Sequence, residues 1–369
     1  MSLAILFLAA AALAYANGAN DNLKGVATLL GSGTTSYRGA LLWGTATTLA
    51  GSALAWLFTH ELLAAFSGRG IVAGSLVGDP RFLSAVGLGA ALVVLLATWR
   101  GLPISTTHAL VGALAGAGVS AEGIGGIAWA KLGTSFALPL LISPLLAGLL
   151  VAFFYPVFQK IKRQSGVKET SCICVTSEEP TLLAAGNSGV FSLADMPKRR
   201  EFLAASDCRV HGDSTMVGIT AARVLDILHY ISAGAVGFAR GLNDTPKIAA
   251  IIMATGAASS NWAVVLVGAV MASGALLQAA KVGKTLSFDI TKMNAGQGFS
   301  ANLATAAMVF GASRLGVPVS TTHVSVGSLF GLGRTNNTLV GATVKRILLA
   351  WIGTLPLGFL FALIAYRIL

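Results

Sequence analysis

Two short polar strings each occur twice, in the same order, inside sequence that is otherwise apolar. Gly18-Ala19-Asn20-Asp21-Asn22-Leu23-Lys24 returns 223 residues later as Gly241-Leu242-Asn243-Asp244-Thr245-Pro246-Lys247. Pro103-Ile104-Ser105-Thr106-Thr107-His108 returns 215 residues later as Pro318-Val319-Ser320-Thr321-Thr322-His323. The chain is therefore a duplicated unit. Each copy must place a carboxylate and three hydroxyls in surroundings that otherwise shed polar atoms. Ionisable side chains inside a membrane are costly and mark substrate or ion pathways.

The surroundings are those of a bilayer. The chain is 55% hydrophobic and only 11% charged, against roughly a quarter charged in soluble domains. Segments 41–58, 82–99, 127–154, 262–280 and 340–366 each approach or exceed the ~20 apolar residues that a spanning helix needs. The runs are continuous rather than alternating, which excludes a transmembrane β-barrel. The formal charge of +11 would suggest nucleic acid in a soluble protein. In a polytopic one, basic residues gather in loops that stay cytoplasmic, so no nucleic-acid partner is expected. Residues 1–15 lack the basic start of a signal peptide and read as a retained first half-helix. Cys172, Cys174 and Cys208 all fall in one polar loop, with a spacing that fits neither a zinc ribbon nor a disulfide framework.

The fold class expected is an all-α polytopic membrane protein: two inverted-topology repeats with broken helices and a midplane site. Residues 1–158 form the first membrane repeat, 159–216 a hydrophilic connector, and 217–369 the second repeat. The first half reads as a helix broken near 17–21, helices near 39–59 and 82–100, a polar-headed segment near 103–119 and a long segment near 127–157. The second half repeats that order. Five crossings per half make the second half enter from the opposite side, as in many transporters. A cytoplasmic connector puts Arg38, Arg100, Lys281, Lys284, Lys292 and Arg334 inside, and Arg69, Arg81, Arg314 and Arg367 outside. That bias obeys the positive-inside rule. Both termini are then external, in a multi-pass protein of the cell membrane.

Gly before each Asn-Asp, and Pro246 after the second, favour an unwound helix at both copies. Unwinding frees carbonyls for cations and amides for anions. Each Asp can ligate a hard cation such as sodium, or carry a proton. In Pro-x-Ser-Thr-Thr-His, the Pro starts a helix or kink and the Ser/Thr residues cap it. Three hydroxyls and free amides make a neutral cradle for an oxyanion. The roles of His108, His323, Lys24 and Lys247 stay open: each Lys, one turn from its Asp, pairs with it, attracts an anion, or snorkels to the interface.

These residues resemble the inorganic phosphate transporter (PiT) family, which includes bacterial phosphate carriers and type III sodium–phosphate cotransporters. The resemblance implies secondary active uptake of inorganic phosphate by symport with sodium, through one central site. Carried over by motif, Ser105, Thr106, Thr107, Ser320, Thr321 and Thr322 are the expected phosphate-binding residues. Asn20, Asp21, Asn243 and Asp244 are the expected cation-binding residues, with Asp21 and Asp244 as sodium ligands. No cofactor is expected beyond sodium as coupling ion. The partners are phosphate, sodium and the lipid bilayer, and a homodimer is left open. One departure stands beside the presumed cation ligands: the family's usual continuation after Asn-Asp is Val-Ala-Asn, where this chain has Asn22-Leu23-Lys24 and Thr245-Pro246-Lys247.

Alternatives are a proton-coupled or metal-phosphate symporter of the same family, a sulfate carrier, an anion channel and a membrane hydrolase. Ser and His three residues apart on one segment make a poor catalytic pair, and duplication suits transport better than a single catalytic centre. No enzymatic activity is expected.

Overall fold

A computed structural model describes residues 2–58, 66–165, 171–175, 200–204, 219–257 and 260–369. The chain divides into two compact units, Met1–Pro156 with His229–Leu369, and Val157–Leu228. In the described part of the first unit every long element is a helix. Its first half supplies α1 (Ser2–Asp21), α2 (Ala27–Gly31), α3 (Tyr37–Phe58), α4 (Pro80–Trp99), α5 (Thr106–Glu122), α6 (Trp129–Leu132) and α7 (Leu138–Gln164). The second half supplies α8 (Ala221–Met253), α9 (Ser260–Gln278), α10 (Ala280–Lys284), α11 (Ala295–Arg314), α12 (Thr321–Thr335) and α13 (Gly341–Ile368). The order is the same in both halves: motif helix, long helix, long helix, Ser-Thr-Thr helix, long helix. The described part of the smaller unit adds an antiparallel sheet, β1 (Ser171–Val175), β2 (Arg200–Ala204) and β3 (Ile219–Thr220), in the order β2-β1-β3. Cys172 and Cys174 fall on β1, whereas Cys208 lies outside the described residues.

Five stretches among the described residues are long and apolar enough to cross a membrane: Leu3–Asp21, Pro80–Trp99, Trp129–Gln164, Asn261–Gln278 and Gly341–Ile368. On α7, Leu141, Leu145, Leu149 and Phe153 repeat at helical spacing and are each about two-thirds exposed. In water such a stripe would be an anomaly; against lipid it is the outer face of the protein.

The helix break differs from the sequence expectation in both copies. The first helix continues through Gly18 and Asn20 to Asp21, and unwinds only afterwards, over 22–26. In the second copy α8 runs unbroken through Gly241, Asn243, Asp244 and Pro246. The reason lies in what the glycines do. A Cβ on Gly18 would fall 1.8 Å from the Met271 carbonyl oxygen of α9, and one on Gly241 2.2 Å from the Thr48 carbonyl oxygen of α3. Both glycines let two backbones touch, which needs no departure from helical geometry. Pro246 keeps a helix-compatible φ and forfeits one main-chain bond.

These contacts also interlock the halves. α1 packs on α9, the second-half counterpart of α3, and α8 approaches α3 at Gly241. Gly112 and Gly116 of α5 lie against Leu355 and Phe359 of α13, while their counterparts Gly327 and Gly331 of α12 lie against Pro144 and Gly148 of α7. Each half thus lends its motif helix and its Ser-Thr-Thr helix to the other. The two Asn-Asp strings, far apart in sequence, are brought to one place.

Candidate functional site

Two helix N-termini carry the hydroxyls. Ser105 leaves the preceding loop in an extended conformation, and its hydroxyl oxygen accepts the His108 amide at 3.1 Å. Ser320 accepts the His323 amide at 3.2 Å in the same way. Both serines are thus N-caps. Capping frees the next two residues to point elsewhere. Thr106 donates to Asp21 Oδ2 at 3.4 Å and Thr321 donates to Asp244 Oδ2 at 3.3 Å. Thr107 and Thr322 reach main-chain carbonyls of the opposite half, Val319 at 3.5 Å and Ile104 at 2.6 Å.

The aspartates are buried and do not stand alone. Lys24 Nζ pairs with Asp21 Oδ1, contacts Thr322 Oγ1, and donates to the Ile104 carbonyl at 3.4 Å. Lys247 Nζ pairs with Asp244 Oδ1 at 3.4 Å and donates to Thr107 Oγ1 at 3.0 Å and the Val319 carbonyl at 2.8 Å. The partners correspond one for one under the repeat: Asp, Thr of the opposite half, and the carbonyl before the Ser-Thr-Thr run. Of the three options the sequence left for the lysines, the structure has the ion pair.

One group breaks the symmetry. Arg240 stands four residues before Asp244, as Asn17 stands four before Asp21. Its guanidinium lies 3.7 Å from Asp244 Oδ2 and donates to Asn17 Oδ1 at 2.7 Å, Thr48 Oγ1 at 3.1 Å and Asn22 Oδ1 at 3.3 Å. Asn17 in turn donates to Asp21 Oδ2 at 3.1 Å, Thr106 Oγ1 at 3.0 Å and Asp244 Oδ2 at 3.4 Å. Asn17 and Arg240 thus join both aspartates into one network, with both side chains shut off from solvent. Three buried cations face two buried carboxylates, an excess of one positive charge. A bare pair of carboxylates would repel anions; the three cations reverse the sign of the local charge.

Asn20 and Asn243 act as braces here. Asn20 donates to Thr98 Oγ1 at 2.9 Å and the Leu102 carbonyl at 3.0 Å, and accepts the Ile104 amide at 3.1 Å. Asn243 donates to Asp244 Oδ1 at 2.9 Å and the Val319 carbonyl at 3.3 Å, and accepts from Ser313 at 3.2 Å. Each pins the loop that launches its Ser-Thr-Thr helix. His108 and His323 face one another with ring centres 4.5 Å apart, and His323 packs 3.9 Å from Trp351. His108 Nδ1 and both ring nitrogens of His323 have no hydrogen-bond partner among the described residues.

All ten residues expected from the motifs therefore gather at one junction of the halves. Sequence reasoning passed over Arg240, Asn17, Asn22, Thr48, Thr98 and Ser313. Arg240 carried a usable signal, a guanidinium inside a 33-residue helix that buries most of its length. Thr98 and Ser313 carried a fainter one, matching each other at the 215-residue offset of the Ser-Thr-Thr strings.

An all-helical membrane unit with a charged, hydroxyl-lined junction between two interlocked halves is the build of a solute carrier. The sequence profile of the phosphate transporter family matches residues 17–362, and the chain belongs to that family, whose members are transporters rather than enzymes. It is 29% identical to a Pyrococcus abyssi protein named as a phosphate permease, over 97% of this chain and 95% of the relative. It is 28% identical to the chloroplastic inorganic phosphate transporter 2-1 of Arabidopsis thaliana, over 95% of this chain and 69% of the relative. The fold matches a solved sodium-dependent phosphate transporter with a TM-score of 0.76, at 22% identity, covering 100% of this chain and 98% of that one.

Proposed function

We propose that this chain imports inorganic phosphate across the cell membrane as a secondary active symporter, its two halves forming one site that opens alternately to either side. The observation that carries this reading is the junction itself, where both Asp and both Thr-Thr pairs come from opposite ends of the chain and share one hydrogen-bonded network. Phosphate takes the hydroxyls of Thr106, Thr107, Thr321 and Thr322 and the free amides at the starts of α5 and α12, with Ser105 and Ser320 fixing the cradle.

Sodium as the coupling ion is supported by the hard oxygens of Asp21 and Asp244, beside Asn20 and Asn243, and by the sodium dependence in the solved relative's name. A second reading, proton coupling, is supported by a specific observation: each carboxylate already holds a lysine ammonium. The reciprocal test is phosphate uptake into proteoliposomes under separately imposed sodium and proton gradients. Uphill uptake under either gradient is the expected result, and downhill flux alone under both would reduce the protein to a channel.

The sidedness that inversion of the repeats requires is supported by the two ends of α4. At one end Arg81 donates to the Tyr366 carbonyl at 2.9 Å, beside Arg367. At the other Lys281 donates to the Trp99 carbonyl at 3.1 Å, beside Arg100. The residues assigned outside and inside by charge thus cluster at opposite ends of one apolar helix. In a cysteine-free background, Leu315→Cys and Lys284→Cys should be labelled from opposite faces of the membrane; labelling from the same face would exclude the inverted arrangement.

A further inference from the structure

We infer that Lys24 and Lys247 are the specificity-determining residues for the coupling cation: each ammonium holds, as a tethered ion, the position beside its aspartate that sodium would take. The inference rests on the phosphate-carrier reading and selects between its two cation forms.

The donor sets carry the argument. Lys24 Nζ is surrounded by a carboxylate oxygen of Asp21, the hydroxyl of Thr322 and the carbonyl of Ile104. Lys247 Nζ is surrounded by a carboxylate oxygen of Asp244, the hydroxyl of Thr107 and the carbonyl of Val319. Both sets are three hard oxygens with one negative charge among them, which is the chemistry that a small monovalent cation selects. An ammonium has three donors, and each finds one acceptor. The fit recurs at the second site, with every partner replaced by its counterpart in the other half, so it is built into the duplicated unit rather than local to one lysine. Both side chains are also almost completely buried, so neither ammonium is a surface charge that has folded back.

Occupation of this kind excludes sodium by charge as well as by space. At the effective screening of a partly polar interior, a second unit charge about 4 Å from the ammonium weakens sodium binding by about a thousandfold. The gain that sodium gives a bare carboxylate pair, neutralisation so that phosphate can enter, is already supplied here. With Arg240 the cluster carries a positive excess, and phosphate has no need of an added cation. Each lysine also reaches across the repeat, to Thr322 from the first half and to Thr107 from the second. Each of those threonines gives its hydroxyl proton to a carbonyl, Ile104 or Val319, and turns it to phosphate only when the ammonium moves to hold that carbonyl alone. That motion gives substrate binding a direct hold on the contact between the halves.

The test measures two things on purified protein in detergent: binding of ³²P-labelled inorganic phosphate in sodium chloride against choline chloride at equal ionic strength, and binding of ²²Na⁺ without phosphate. For the unaltered chain, phosphate binding is expected to agree within about twofold between the salts, with no stoichiometric ²²Na⁺. Lys24→Ala with Lys247→Ala vacates both oxygen cages and should gain ²²Na⁺ binding, with phosphate bound at least tenfold tighter in sodium than in choline. Lys24→Met with Lys247→Met refills the cages with apolar atoms and should gain neither. Stoichiometric ²²Na⁺ binding by the unaltered chain, or a tenfold sodium effect on its phosphate binding, overturns the inference even if the variants fail to fold. So does a folded Ala variant that binds no ²²Na⁺. Absence of phosphate binding by the folded, unaltered chain in both salts would instead count against the carrier reading, while the ²²Na⁺ measurement still judges the lysines.

Discussion

Asp244→Asn should abolish phosphate uptake and cost about 3–5 kcal/mol of stability, a larger loss than Asp21→Asn. The substitution keeps size and one carbonyl oxygen but removes a charge that two buried cations share. Arg240 and Lys247 both lie against the Asp244 carboxylate, whereas among the described residues Asp21 pairs with Lys24 alone. Removing one member of a buried pair strands the other in a low-dielectric setting, and stranding two is worse. A lone buried carboxylate would give the opposite sign, since neutralising it relieves its desolvation. The structure reverses that sign, because neither carboxylate is alone. Transport fails for a second reason. Without the carboxylate, Lys247 loses its counter-charge and turns toward the hydroxyls of the cradle, so bound phosphate would be held rather than released. Thermal unfolding of each purified variant, beside ³²P uptake, checks both the loss and its order. Equal stability of Asp21→Asn and Asp244→Asn would contradict the unequal ion pairing.

Arg240→Met should be the second severe variant, with phosphate affinity down by about a hundredfold, or near 3 kcal/mol. Methionine fills much of the same volume without charge or donors. The change takes the cluster from a positive excess to neutrality. It also removes the donors to Asn17, Asn22 and Thr48 and so uncouples the motif helix of each half. Arg240→Lys is not expected to rescue. A single ammonium cannot reach three acceptors set around a planar fork. Equilibrium binding of phosphate to Arg240→Met and Arg240→Lys separates the contributions. Recovery in Arg240→Lys would assign the effect to charge alone, and wild-type affinity in both would remove Arg240 from the site.

The levels of this structure differ in how far the sequence alone shows them. The helical membrane class and the pairing of the motifs followed from apolar run length and from two repeated strings, because both are local properties. Ser105 and Ser320 carried their capping role in plain sequence. The position of the helix break did not. Gly18 and Gly241 look like helix breakers until Met271 and Thr48 are seen against them, and those neighbours lie 253 and 193 residues away. The charge balance of the site was hidden for the same reason. Lys24 and Lys247 stand one turn from their aspartates, which allowed a pair but also allowed snorkelling. Only the opposite half, through Thr322 and Thr107, settles which way each ammonium points. Arg240 was in view as an ionisable group inside an apolar segment, yet its counterpart Asn17 is uncharged, so a search for matched residues passed over it. Duplication made the symmetric parts of the site visible and concealed the one asymmetric part.

On the proposed reading, one carrier site for phosphate lies where the halves join, around Asp21 and Asp244. Counterflow in proteoliposomes tests it most directly. Vesicles loaded with unlabelled phosphate are diluted into trace ³²P-phosphate, for the unaltered chain and for Asp244→Asn. A transient accumulation of label above equilibrium is expected with the unaltered chain, suppressed by external phosphate, and absent from Asp244→Asn that remains folded. Counterflow persisting at wild-type level in Asp244→Asn, or no overshoot from the folded, unaltered chain, would contradict it.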